Sequence, residues 1–179
     1  MIYLIYGVTA SGKTTIGNLL AKKINIPFYD ADDFHSASNL KKMRSGIALE
    51  DSDRKPWLLK LKKEIKSWEE NGGAVLACSA LKESYRSILM DDMKIPIHFI
   101  LLQAPVLILE ERISSRKDHF MPPTLLKSQL KDLEIASYGF RVNSDKKPED
   151  IVELILSRFF NKNTLGIIGM GIMGKNLAL

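Results

Sequence analysis

Gly7-Val8-Thr9-Ala10-Ser11-Gly12-Lys13-Thr14 is the stretch that decides how the rest of this chain is read. It fits G-x-x-x-x-G-K-[ST] at every required position. The apolar run Met1–Tyr6 precedes it and reads as a buried parallel strand. Ile16, Leu19, Leu20 and Lys23 follow at helical spacing, which predicts a helix over Lys13–Ile24. Strand, glycine-rich turn and helix, in that order, are the context in which this pattern cradles phosphate. Glycines let the backbone curl so that its N–H groups meet phosphate oxygens, and the positive end of the helix adds to that field. Residues Gly7 to Thr14, with Thr15 beside them, would then surround a nucleotide's phosphates. Lys13 would reach the β- and γ-phosphates, and the Thr14 hydroxyl would ligate Mg²⁺. The plainer alternative is a glycine-rich turn with a chance Lys-Thr pair.

Working outward, Pro27 ends the first helix and Phe28–Asp30 reads as a second strand. Leu58, Leu61, Ile65 and Trp68 recur at steps of three and four, the mark of an amphipathic helix, which Asn71-Gly72-Gly73 stops. Ala74–Ala77 reads as a strand, Leu81–Met90 as a helix and Ile97–Gln103 as a strand. Pro105 opens a helix predicted through Arg116, and Thr124 caps one predicted through Leu133. Tyr138–Val142 is the last strand, and Pro148 opens a final helix with Ile151, Leu154, Ile155 and Phe159 on one face. Strands alternating with helices predict an α/β domain with a largely parallel sheet and right-handed crossovers.

Composition narrows the class further. With 179 residues, 45% hydrophobic and 26% charged, the chain suits one soluble globular domain and not a collagen-like, disordered or disulfide-scaffold protein. No stretch approaches the roughly 18 apolar residues of a spanning helix, so no membrane role is expected. The net charge of +5 suits an anionic ligand such as a nucleotide without demanding nucleic acid. Lys55, Lys60, Lys62, Lys63 and Lys66 read as a solvated helix face, so no nucleic-acid partner is expected. Cys78 stands alone, cannot form an internal disulfide, and reads as a small buried residue at a strand end. The N-terminus has no basic leader and no cleavage site, which predicts a cytoplasmic protein.

A second cluster, Asp30-Ala31-Asp32-Asp33-Phe34-His35, follows the second strand. In open α/β sheets, ligands bind beyond the carboxyl ends of the strands. Strand alternation would put Asp30 and Asp32 on one side. A small-molecule kinase needs one carboxylate near Mg²⁺, orienting its bound water, and another to accept a hydroxyl proton. The alternative is an Asx-rich turn capping the next helix.

With GVTASGKT, FYDADDFH, NLKKMRSGIALEDSDRKPWL, ACSALKESYR and EERISSRKDHFMPPTLLKSQLKDLE, the chain resembles the gluconate kinase family of small P-loop kinases over about residues 1–160. The DRKPWL, CSALK and HFMP segments carry more specificity than the phosphate loop does. The resemblance implies a five-stranded parallel sheet with a mobile lid, and ATP- and Mg²⁺-dependent phosphorylation of D-gluconate on its 6-hydroxyl. It also implies a homodimer. By the same resemblance Asp32 looks like the base and hydroxyl ligand, with Asp30 reaching Mg²⁺ through water. Arg54 would hold the gluconate carboxylate, since a guanidinium fork matches a carboxylate; the alternative is a salt bridge to Asp51 or Asp53. His35 and Lys82 would line the sugar-acid pocket, and His119 would approach the substrate on closure. For His35 the alternative is a capping or surface histidine. Arg112 would stack on adenine and Arg116 would swing onto the transferring phosphoryl group. The alternative for both is a solvated face pairing with Glu110 and Glu111. Gln129 and Glu134 match without an assigned role. The family commonly has glycine at Ala10 and Ala31. Ala10 lies at a variable loop position, whereas Ala31 would add a methyl beside the acceptor.

The expected kinase domain covers residues 1–161. Residues 162–179 include Leu165–Ile168 and then Gly169-x-Gly171-x-x-Gly174, and resemble the start of 6-phosphogluconate dehydrogenase. They lack the second strand and acidic ribose ligand needed to bind NAD(P). A kinase–dehydrogenase fusion and a vestigial tail both fit, as does a glycine-rich tail that frays or packs on the kinase. Two further readings of the whole chain stay open: a kinase for another polyol acid such as shikimate, and a nucleotide-dependent binding module. A mere binder would need neither Asp32 nor the lid arginines.

Overall fold

The computed structural model describes residues 1–115 and 124–160. Arg116, His119 and the 162–179 segment lie outside them. The elements run β1 (Ile2–Tyr6), α1 (Lys13–Ile24), β2 (Phe28–Asp30), a 3₁₀ turn (Ala31–Phe34), α2 (Ala37–Arg44), α3 (Asp51–Glu70), β3 (Ala74–Cys78) and α4 (Glu83–Met90). They continue with β4 (His98–Gln103), α5 (Val106–Ser114), α6 (Thr124–Asp132), β5 (Phe140–Asn143) and α7 (Pro148–Phe159). The five strands form one parallel sheet in the order β2-β3-β1-β4-β5. No helix among the described residues is long and apolar enough to cross a membrane.

β1 lies at the centre, and its alternation divides the core. Ile2, Leu4 and Tyr6 face Trp57, Leu61 and Ile65 of α3, while Tyr3 and Ile5 face Ile16 and Leu20 of α1 and Ile155 of α7. Each such fully buried side chain contributes about 2 kcal/mol. A third cluster joins Val8 and Ala10 of the glycine-rich loop to Leu109 and Ile113 of α5 and Leu126 of α6. That cluster fixes the loop from behind.

α1 and β2 have the predicted bounds. α2 was not predicted: of its eight polar-rich residues only Asn39 and Met43 are buried, which leaves no apolar period to read. Leu154 was expected on the buried face of α7 but is 38% exposed, and Val152 and Leu156 pack inward in its place. Glu50 and Asp53 close a reciprocal capping box at the start of α3, which satisfies N–H groups at the head of the helix carrying Arg54.

Among the described residues, one charged side chain is wholly inside. Arg86 of α4 is fully buried, its guanidinium 5.0 Å from the centre of the Tyr6 ring. It donates to the carbonyls of Ala80 at 2.7 Å, Leu81 at 2.9 Å and Glu134 at 2.8 Å, and to Glu83 Oε2 at 2.8 and 3.1 Å. Glu134 also accepts the Glu83 N–H through its carboxylate at 2.6 Å. The turn after β3 is thereby tied to the segment that follows α6.

Candidate active site

The glycine-rich loop leaves β1 at Gly7, whose φ of 145° and 2.6 Å clearance from a would-be Cβ to the Leu102 carbonyl admit only glycine. Gly12 (φ 96°) turns the chain into α1, whose first turn carries no acidic residue and no side-chain cap. Its first N–H groups are thus left without a side-chain acceptor from the cap, as an anion site at a helix N-terminus requires. Ala10 has φ 59°, left-handed backbone that an alanine adopts at a cost of about 1 kcal/mol. The expectation that this position is merely variable missed that strain. Lys13 Nζ donates to the Val8 carbonyl at 2.9 Å.

Beside the loop lies a cleft of about 110 Å³, whose lining includes Lys13, Asp30, Asp32, His35, Arg54 and Gln129. The Thr14 hydroxyl donates to Asp30 Oδ2 at 2.8 Å, and Asp30 Oδ1 accepts the Asp32 N–H at 3.1 Å. Asp30 thus caps the 3₁₀ turn that carries Asp32. Both carboxylates reach the cleft, but through that turn and not through the strand alternation expected. Burial pushes the Asp32 carboxyl up to about 6; the Asp30 charge adds to the rise and Lys13 opposes it. Its side chain nevertheless keeps 45% exposure, so the carboxyl remains open to a ligand. Ala31 is fully buried among Trp57 and Leu58, and its carbonyl accepts the Trp57 indole N–H at 2.8 Å. Its methyl therefore faces the core, not the acceptor side that the sequence suggested.

His35 stacks on Trp57 with ring centres 4.3 Å apart. Burial lowers its pKa to about 4, helped by the Arg54 charge, so the imidazole is neutral near pH 7. Its Nε2 stands 3.9 Å from Asp32 Oδ1, which is no ion pair for a neutral ring. Arg54 reaches the cleft from α3 and donates to the Tyr85 hydroxyl at 3.2 Å, with Asp51 further off at 3.8 Å. Asp53 is taken by Lys42 at 2.6 Å. Lys82 is not part of the cleft wall: it pairs with Asp51 at 2.8 Å, and Asp51 in turn accepts the Tyr85 hydroxyl. Lys82 and Tyr85 hold the Asp51 carboxyl below its usual value. Arg112 donates to the carbonyls of Ala10 at 3.2 Å and Ser144 at 2.6 Å, in a groove on the α7 side of the loop with Thr15 and Pro148.

Two further residues support the site. Tyr85 holds Arg54. Gln129 of α6 accepts the Thr9 N–H at 2.6 Å through its side-chain oxygen. The signal for Gln129 was present: Leu125, Leu126, Leu130 and Leu133 surround it at helical spacing, so a glutamine interrupts an apolar stripe. Among the described residues no cluster of three His, Cys, Asp or Glu could hold a metal by itself. The adjacent oxygens of Thr14 and Asp30 nevertheless suit a cation that takes most of its ligands from phosphate and water.

The sequence matches the shikimate kinase family model over residues 9–157. A probable gluconokinase of Dictyostelium discoideum is 45% identical over 170 residues, covering 90% of this chain and 85% of that protein. The chain belongs to the gluconokinase family. A gluconokinase of Arabidopsis thaliana is 40% identical over 175 residues, covering 89% of this chain and 93% of the relative. The crystal structure of a gluconokinase from Sinorhizobium meliloti 1021 superposes with a TM-score of 0.78 at 32% identity, covering 97% of this chain and 95% of that one. Gluconokinase kinship also accounts for the shikimate kinase match, since the two share the parallel-sheet kinase architecture.

Proposed function

We infer that the protein is a gluconokinase that transfers the γ-phosphoryl group of ATP to D-gluconate, releasing ADP and 6-phosphogluconate. The observation that carries this reading is one cleft in which Lys13, Asp32 and Arg54 converge beside the glycine-rich loop. The loop amides and Lys13 bind the phosphates. Arg54 takes the gluconate carboxylate in its fork, which extends the chain of the acid toward Asp32. Asp32 accepts the 6-hydroxyl proton as that oxygen attacks. A carboxyl near 6 is still mostly ionised at pH 7 and is a stronger base than an ordinary aspartate. The neutral His35 ring, held against Trp57, offers a hydrogen bond to a sugar hydroxyl.

Thr14 and Asp30 would hold Mg²⁺, directly and through water respectively; the ion, when bound, neutralises charge on the β- and γ-phosphates. Arg112 would cover the adenine, and Arg116 and His119 would act on the phosphoryl group and the acceptor. A cytoplasmic location belongs to the same proposal. The homodimer and the dehydrogenase association have no support in the comparisons and carry no part of it.

ADP release with Mg²⁺-ATP against D-gluconate, shikimate, glucose and nucleoside monophosphates tests the assignment. Release with gluconate alone, abolished in Asp32→Asn, is the expected result. Release with shikimate in its place would reassign the Arg54 pocket, and ATP binding without release on any acceptor would leave a binding module.

A further inference from the structure

The peptide unit between Val8 and Thr9 is held at both edges. Its carbonyl accepts the Lys13 ammonium at 2.9 Å, and its N–H donates to Gln129 Oε1 at 2.6 Å. Those two bonds fix the plane of the peptide, because C=O and N–H point in opposite directions across a trans amide. Thr9 is only 6% exposed, so water is a poor substitute for the lost acceptor if the side chain is removed. Leu126, one turn before Gln129 on α6, packs against Val8 and Ala10 of the same loop. α6 therefore meets the loop through an apolar contact and a hydrogen bond that sets orientation. The next residue, Ala10, already sits in left-handed backbone, so the loop has little conformational reserve of its own.

We propose that Gln129 is a positioning residue for phosphoryl transfer: it clamps the Val8–Thr9 peptide, and through the Val8 carbonyl it sets where the Lys13 ammonium waits for the nucleotide. This rests on the kinase reading of the cleft and adds to it a residue that touches neither reacting atom. Without the clamp the peptide is held only at its carbonyl, by Lys13 and by the Ser11 N–H at 3.3 Å, so its plane can tilt and the resting position of Lys13 shifts with it. A glutamine suits the task because its oxygen accepts the amide while the group carries no charge into a site built for anions.

The test compares Gln129→Met, which keeps the volume and loses the acceptor, with Gln129→Glu, which keeps the acceptor and adds a charge. Turnover with gluconate is measured alongside calorimetric binding of ATP, ADP and adenosine without acceptor, and the melting temperature. Gln129→Met should lower kcat roughly tenfold and weaken ATP by a similar factor, with adenosine binding unchanged. Gln129→Glu should recover kcat at saturating ATP relative to Gln129→Met, while binding ATP less tightly than ADP in proportion to phosphate charge. Wild-type kcat and ATP affinity in Gln129→Met would overturn the proposal. So would equal losses in both variants together with a lowered melting temperature, which would make α6 packing the cause. The nucleotide measurements need no acceptor, so a wild-type protein inactive on gluconate would sink the acceptor assignment and leave the clamp to be judged on ATP binding.

Discussion

At the proposed phosphate end of the cleft, consecutive residues between β1 and α1 would supply the binding groups, most of them backbone N–H. At the acceptor end, Asp32, His35 and Arg54 arrive from a 3₁₀ turn, the loop after it and α3, and every group is a side chain. The first end depends on chain path, and a few glycines secure it. The second depends on tertiary support: Trp57 behind His35, Tyr85 and Asp51 behind Arg54, and Asp30 beneath Asp32. Substitutions at the acceptor end should therefore change chemistry and acceptor affinity while nucleotide binding stays as it was.

The largest expected break is Asp32→Asn, which should lower kcat by about 10²–10⁴-fold with ATP affinity retained. The same change should raise the melting temperature at pH 7. A carboxyl raised to about 6 binds its proton more tightly in the folded state, so its stabilising contribution is present below about 4 and is lost as pH rises through 6. The stability difference between Asn and Asp should thus shrink as pH falls toward 4, while wild-type kcat/KM falls with acidification through 6. A melting temperature below wild type at pH 7 would show that Asp32 is not strained by its burial. Next comes Arg54→Lys, which keeps the charge and loses the fork; the KM for gluconate should rise about tenfold with the KM for ATP steady. Tyr85→Phe removes only the hydroxyl that Arg54 and Asp51 share, and should raise the gluconate KM about threefold. If the KM for ATP moves as far in either variant, the two ends of the cleft are not separable. The smallest effect belongs to the phosphate end: Ala10→Gly relieves the left-handed alanine and should stabilise by at most about 1 kcal/mol in denaturant unfolding, with kcat unchanged.

The contrast also explains what could be read before folding was considered. The strand, loop and first helix were legible because the motif is contiguous and its flanks have clear periods. α2 was not, because its polar residues give no period; its Ser36 cap is local, but the Asn39 bond to the Asp53 carbonyl that places it is tertiary. Asp30 and Asp32 both reach the cleft, but the 3₁₀ turn and not the strand pleat brings them together. The motif around Lys82 suggests the pocket, yet Asp51, one turn away from Arg54 on α3, pairs with it outside the cleft lining. Leu154 shows the limit of a helical wheel where consecutive apolar residues, Ile151 and Val152 or Ile155 and Leu156, offer two adjacent faces. Gln129 needed the loop opposite it before its place in an apolar stripe had meaning.

Arg86 has a consequence for how the molecule opens. Its guanidinium sits away from solvent, and separating the Ala80–Leu81 turn from Glu134 would break its bond to the Glu134 carbonyl, at a cost of about 1.5–3 kcal/mol, while those to Ala80, Leu81 and Glu83 remain. The Glu134 amide, bonded to the Leu81 carbonyl at 2.9 Å, and the Glu83 amide on the Glu134 carboxylate share that fate. Deuterium should therefore enter these two amides together, in one local opening. The segment just past the helix that carries Gln129 is thus tied to the turn after the third strand, and the two should open as one unit.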